Sequence, residues 1–192
     1  GNTVADNSFG LVLSSGSQNT VVHNNLIVDS DNTAVLLTAA SSNTIRSNSI
    51  VATGDRSVEL ADGSNNNRIE TNTLLQGSDA GIIVEDSNEN ELVANVIHQM
   101  SDSGIVLDNA HQNIVRDNDL RFNSGGLELS AATGNLIEGN DASYTTGSGI
   151  EIGDHALNNV ILLNNASFNA SRGILIEAEV LAGDLQPGNW LD

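Results

Sequence analysis

Eight positions, written Asn-x-aliphatic-x-x-Asn-x-aliphatic, recur along this chain and leave it few folds to adopt. The clearest copy is Asn113-Ile-Val-Arg-Asp-Asn118-Asp-Leu120. The two Asn residues of each copy read as Asn2/Asn7, Asn19/Asn24, Asn43/Asn48, Asn67/Asn72, Asn90/Asn95, Asn113/Asn118, Asn135/Asn140 and Asn159/Asn164. Leading Asn residues follow one another at 22 to 24 residues, apart from a first step of 17. A second phrase, Gly-aliphatic-x-aliphatic, completes each period, as in Gly81-Ile-Ile-Val84, Gly104-Ile-Val-Leu107, Gly126-Leu-Glu-Leu129, Gly149-Ile-Glu-Ile152 and Gly173-Ile-Leu-Ile176. In two earlier periods Ala34 and Ser57 replace the Gly. Self-similarity at a fixed period of this length is the signature of a solenoid.

The aliphatics alternate over only three or four residues between clusters of Asn, Gly, Ser and Asp, which is strand periodicity in short pieces. A segment such as Asp62-Gly-Ser-Asn-Asn-Asn67 sustains no helix. Equal offsets must then stack coil on coil as parallel strands about 4.8 Å apart, with the right-handed crossover that parallel connections adopt. The expected fold is all-β, a right-handed single-stranded parallel β-helix of about eight coils. The short first step predicts an incomplete first coil lacking several residues after Asn7. Residues 1–180 form the repeat domain, and 181–192, with the one Pro and the one Trp, form a C-terminal cap or the start of a linker.

Asn tolerates the left-handed backbone region, and its amide both donates and accepts, so stacked Asn residues can pass hydrogen bonds between coils. The predicted ladder comprises Asn19, Asn24, Asn43, Asn48, Asn67, Asn72, Asn90, Asn95, Asn113, Asn118, Asn135, Asn140, Asn159 and Asn164. Val21, Ile45, Ile69, Leu92, Val115, Ile137 and Ile161 should form one buried column beside it. Asp119, next to Asn118, should be an outward, solvated neighbour.

These repeats resemble those of right-handed parallel β-helix proteins of the pectate-lyase-like superfamily. They are closest in style to the repeats of NosD-like proteins and of carbohydrate-binding and sugar-hydrolase (CASH) domains. The resemblance covers about residues 2–177 and rests on architectural positions, which specify fold and not activity. The enzymes of the superfamily bring motifs that can be checked. Pectate lyases join calcium-binding aspartates to arginine and lysine, and this chain has no lysine. Polygalacturonases carry Gly-His-Gly and Arg-x-Lys, both absent here. Alginate epimerases and related lyases carry an Asp-Pro-His-Glu type motif with a Tyr; the motif is absent and the one Tyr is Tyr144.

A net charge of −19, with arginine as the sole cationic side chain type, excludes the basic track that a nucleic-acid partner requires. No apolar run reaches the ~20 residues of a membrane-spanning helix, so no membrane insertion is expected. The chain contains no Cys, which removes zinc–thiolate sites. It begins inside a repeat without an initiator Met or a signal sequence, as a mature segment or part of a longer chain with other domains would. The acidity suits an extracellular, cell-surface or periplasmic protein.

Four aspartates share one offset, twelve residues after a leading Asn: Asp31, Asp55, Asp79 and Asp102. Such a column either caps its own turns in solvent or takes calcium, which binds oxygen ligands readily; no cofactor is otherwise required. Glu59, Glu128 and Glu151 lie outward on the Gly-aliphatic strand, with Glu128 beside Glu151, and read as a solvated acidic face or a weak carbohydrate contact. Phe122, Tyr144 and Phe168 share an offset that follows the inward alternation, which predicts an interior aromatic stack; if outward, Tyr144 would serve sugar stacking. Arg46 should face Glu70, Arg68 face Glu91, and Arg116 face Glu138. The four histidines do not cluster, and His98-Gln-Met100 is the one hint of a copper site.

Together these features predict a non-catalytic extracellular module that binds or scaffolds polysaccharide or another surface glycan. The alternatives are part of a polysaccharide lyase, epimerase or hydrolase with catalytic residues outside this segment, and a NosD-like periplasmic accessory protein for metal-site maturation.

Overall fold

The structure, a computed structural model, describes residues 1–153, 155–177 and 190–191. Its strands build a right-handed solenoid of about eight coils, with no helix among the described residues. Every strand pairs in parallel with its equivalents in the coils above and below, giving three sheets that run the length of the rod. The first contains Thr3–Asn7, Leu26–Ser30, Ser49–Thr53, Thr73–Gly77 and Val96–His98. Single bridged positions at Asp119, Asp141 and Asn165 continue it. The second runs from Leu11–Leu13 to Ile174–Ile176. The third starts at Val21–His23, passes through Val160–Leu162 and ends on Trp190–Leu191, so the expectation for 181–192 otherwise lies outside the described residues.

Alternation decides what is buried. In Val58–Ala61 the side chains at Val58 and Leu60 point in and those at Glu59 and Ala61 point out, and the same inward positions stack from coil to coil. In the third sheet Val22, Ile45, Ile69, Leu92, Val115, Ile137 and Ile161 form one continuous column by register, all buried. Val22 takes the place expected of Val21: it is 8% exposed, whereas Val21 is 52% exposed and faces outward.

The Asn residues are the polar counterpart of this core. In one ladder the backbone N–H of Thr20 donates to Oδ1 of Asn43, and Asn43, Asn67, Asn90, Asn113, Asn135 and Asn159 follow. The other runs through Asn2, Asn25, Asn48, Asn72, Asn95, Asn118, Asn140 and Asn164. At Asn118 the backbone N–H (3.0 Å) and Nδ2 (2.9 Å) both donate to Asn140 Oδ1. The same Nδ2 also reaches back to the Leu92 carbonyl at 2.9 Å. The amide thus joins three consecutive coils and leaves none of its capacity unused in the interior.

Asn19 and Asn24 are not rungs. They hold left-handed φ values of 54° and 56°, one residue before the rungs, where later coils carry Ser42 and Ser47 at 60° and 53°. Asn2 is therefore a second-position rung, facing Asn25, and Asn7 pairs with Ser30 in the first sheet. Gly10 stacks against Ala34 nine or so residues past its rung, as elsewhere. Residues 3–18 stack on 26–41 without the gap expected after Asn7.

Replacing Asn118 by Ala strands the Leu92 carbonyl and leaves the backbone N–H and Nδ2 of Asn95 without their acceptor. Chemical denaturation should show a loss of about 1–3 kcal/mol, against less than about 0.5 kcal/mol for the outward Glu138→Ala.

Candidate functional site

Where the first sheet turns into the second, one position per coil holds a left-handed backbone: Asp6, Asp29, Ala52, Gln76, Gln99, Phe122, Tyr144 and Phe168, with φ between 52° and 63°. The conformation costs non-glycine residues roughly 1–2 kcal/mol, and its effect on the side chain is decisive. Strand alternation would send the residue after outward Arg121 inward. The left-handed turn instead directs Phe122 outward and buries the next residue, Asn123. Phe122, Tyr144 and Phe168 are 52%, 48% and 76% exposed, so the aromatic stack lies outside the rod and not in its interior. Its rings are stacked, with centroids 5.7 and 5.1 Å apart and planes inclined by 26° and 15°. Because the same turn accepts Asp, Ala and Gln in the other coils, its geometry does not call for aromatics.

A polar group borders this ridge. Arg121 donates to Asp119 from Nε at 2.8 Å and from Nη2 at 2.7 Å, a bidentate pair that fixes the guanidinium. Its Cζ lies 5.6 Å from the centre of the Phe122 ring, and Nε lies 3.8 Å from Asp141 Oδ2. His98, one coil earlier, sets its ring edge-on to Phe122 at 5.6 Å and brings Nε2 to 2.9 Å from Asp119 Oδ1. Burial alone would raise the pKa of Asp119, but its Arg121 and His98 neighbours prevail and hold the carboxyl well below the usual range. Asp119 is outward, as expected, but engaged on two sides. Asp141 Oδ1 accepts from Ser143 and from Asn165 Nδ2, which continues the polar border into the last described coils.

The acidic residues singled out in the sequence do not converge here. Glu128 and Glu151 are register partners on the second sheet, between Val106 and Leu175. Burial, with Asp102 and Glu151 nearby, raises the pKa of Glu128. Glu59 is separated from them by Ile83 and Val106. It is tied down by Arg56 Nη1 at 2.8 Å and by the Thr33 hydroxyl at 3.0 Å. Asp31 leaves the aspartate column because its coil is displaced by one residue: Gly54 stacks on its backbone. Asp55 bonds the facing Asp79, and burial together with that contact raises its pKa. Arg56 Nε approaches Asp79 at 3.5 Å. The Asp31 end instead lines an open cleft of about 470 Å³ together with Asp6 and Asp29.

The fold is matched in known proteins. The profile described as "Periplasmic copper-binding protein (NosD)" matches residues 58–180, more than half of the chain, and "Right handed beta helix region" matches residues 1–96. The chain belongs to the NosD family. Among solved structures, a mutant of the periplasmic alginate epimerase AlgG superimposes with a TM-score of 0.88 at 16% identity, over 98% of this chain and 48% of that one. The Azotobacter vinelandii mannuronan C-5 epimerase AlgE4 A-module gives 0.77 at 11% identity, over 93% and 59%. The enzymatically active domain of bacteriophage CBA120 tailspike protein 2 gives 0.64 at 12% identity, over 75% and 23%. This NosD-family chain thus spans about half the length of AlgG. No curated protein sequence matches it significantly.

The family name raises copper, and the donors present do not fit it. Among the described residues no three His, Cys, Asp or Glu side chains converge. His98 faces outward onto Asp119, whereas Met100 is buried with its sulfur near Ser57, so the His98-Gln-Met100 pair splits to opposite sides of the wall. His111 Nδ1 bonds Thr133, and His23 Nδ1 bonds Asn24.

Glu128 offers a test of the electrostatics. Its folded pKa lies above the unfolded value, so the ionised form opposes folding at neutral pH, and stability is regained as pH falls through the raised value. Glu128→Gln should therefore melt above the parent at pH 7, and the gap should close on acidification in parallel thermal scans.

Proposed function

We propose that this NosD-family β-helix is a non-catalytic polysaccharide-binding module working in the periplasm or outside the cell, and that the glycan lies along the Phe122–Tyr144–Phe168 ridge. The observation that carries this reading is the solvent-facing aromatic stack, placed by left-handed turns that other coils fill with Asp, Ala or Gln. Aromatic edges carry the positive part of the ring quadrupole and the Tyr hydroxyl adds a polar handle, which together suit hydroxyl-rich, partly apolar ligands. Two of the structural neighbours, the alginate epimerase AlgG and the mannuronan C-5 epimerase AlgE4, support a carbohydrate context, and the periplasmic character of AlgG and of the protein that describes the family supports the location. Calcium at Asp55 and Asp79 forms no part of the proposal, since Arg56 already faces Asp79 and Glu59.

One observation favours a second reading, in which this chain is the β-helix portion of a lyase or epimerase. His98, Asp119 and Arg121 meet beside the aromatic stack that includes Tyr144, a set able to withdraw and return a proton next to a carboxylate. Against it, Arg121 already spends two of its N–H groups on Asp119, so the charge of the cation touching the stack is balanced before any uronate arrives. Incubation with alginate and with polygalacturonate, followed by ultraviolet absorbance for unsaturated ends and by NMR for inverted residues, separates the two. Turnover abolished by His98→Ala would replace the binding reading.

A glycan array tests the binding reading itself. The parent should retain at least one oligosaccharide family, Tyr144→Ala and Phe168→Ala should each weaken it about tenfold, equivalent to ~1.4 kcal/mol, and Glu59→Ala should bind as the parent does.

A further inference from the structure

Resting on that reading, we infer that the glycan taken by the aromatic ridge is electrically neutral, a polymer of uncharged hydroxyl-bearing sugars and not a uronate or sulfated chain. The uronate polymers named for the structural neighbours would then be poor ligands for this face.

A polyanion needs cations that are free to meet it. This chain has six arginines and no lysine against 25 carboxylates. Arg121, the cation touching the ridge, is held on two N–H groups by Asp119 and lies beside Asp141. Arg56 is taken by Glu59 and Asp79, and Arg68 by Glu70 and Glu91. Along the ridge, then, positive charge is matched or exceeded by negative charge. The whole molecule adds a repulsive field of net −19 that acts over a Debye length of ~8 Å at physiological salt.

The same border is well furnished for hydroxyls. Asp141 uses one carboxylate oxygen for Ser143 and Asn165, and its Oδ2, 3.8 Å from Arg121 Nε, keeps lone pairs for an incoming O–H. Ser167 and Asn165 are exposed beside Phe168 and can both donate and accept. Carboxylates, amides and hydroxyls set along an apolar ridge complement a neutral sugar chain, whereas the carboxylates among them repel an acidic one.

Isothermal titration of the intact protein with four polymers decides the matter: a soluble β-1,3-glucan, a galactomannan, alginate and polygalacturonate, each at low and at physiological salt. At least one neutral polymer should bind, with little change on adding salt, and Phe168→Ala should weaken it about tenfold. Because Phe168 is mostly exposed, that variant keeps the fold, which circular dichroism checks. Alginate and polygalacturonate should bind at least tenfold more weakly, and Arg172→Ala, which removes an exposed cation of the last described coil, should leave neutral binding unaltered. Tighter binding of either uronate polymer, lost in Phe168→Ala, would overturn the inference and leave the binding reading standing. Silence from all four polymers would overturn both.

Discussion

Every coil of this rod depends on hydrogen bonds that leave it, since a single three-strand turn has no partner within itself. Parallel pairing supplies these bonds along the strands, but at the corners the backbone turns away from its neighbours and would be left unpaired in a dry interior, at a cost of about 1–3 kcal/mol per group. The buried amides close that gap. Most rungs bind the coil behind through a backbone carbonyl and the coil ahead through a side-chain oxygen, as Asn118 does with Leu92 and Asn140. Serines at Ser64 and Ser87 do similar work at another corner, and Asn123 and Asn169 at a third.

Once the corners are fixed, the outward positions are released from structural duty, and there the side chains vary from coil to coil. One left-handed corner carries acidic residues at Asp6 and Asp29, amides at Gln76 and Gln99, and aromatics from Phe122 onward. The scaffold beneath hardly changes while the surface passes from acidic to aromatic. Such a surface follows the spacing of the coils, which suits a ligand that is itself an extended repeating chain.

The sequence revealed the period, the stacking and most of the register, because buried aliphatics and buried amides recur with little freedom. It misled in the opening coils for a local reason: Asn24 and Asn25 are adjacent, as are Val21 and Val22, so two registers one residue apart fit the pattern equally well. Only the left-handed φ of Asn19 and Asn24 separates them. The same displacement removed Asp31 from its supposed column. The aromatic stack was misplaced because alternation was carried past the strand end into a turn that reverses it. A signal was present in the Phe122-Asn123 and Phe168-Asn169 pairs, where the Asn makes the corner bond and its neighbour must face out. Arg46, Arg68 and Arg116 lie beside Glu70, Glu91 and Glu138 by register; Arg68 closes the ion pair with Glu91, whereas Arg116 bonds Asp117 instead. The cluster of Asp119, Arg121 and His98 draws on two coils and was not assembled from spacing.

The most direct test is a crystal structure of this chain with a neutral oligosaccharide bound. Sugar density along the outer edges of Phe122, Tyr144 and Phe168, with a hydroxyl on Asp141, is the predicted result. Sugar seated on the second sheet at Glu128 and Glu151, or a Tyr144 ring found inside the rod, would contradict the account.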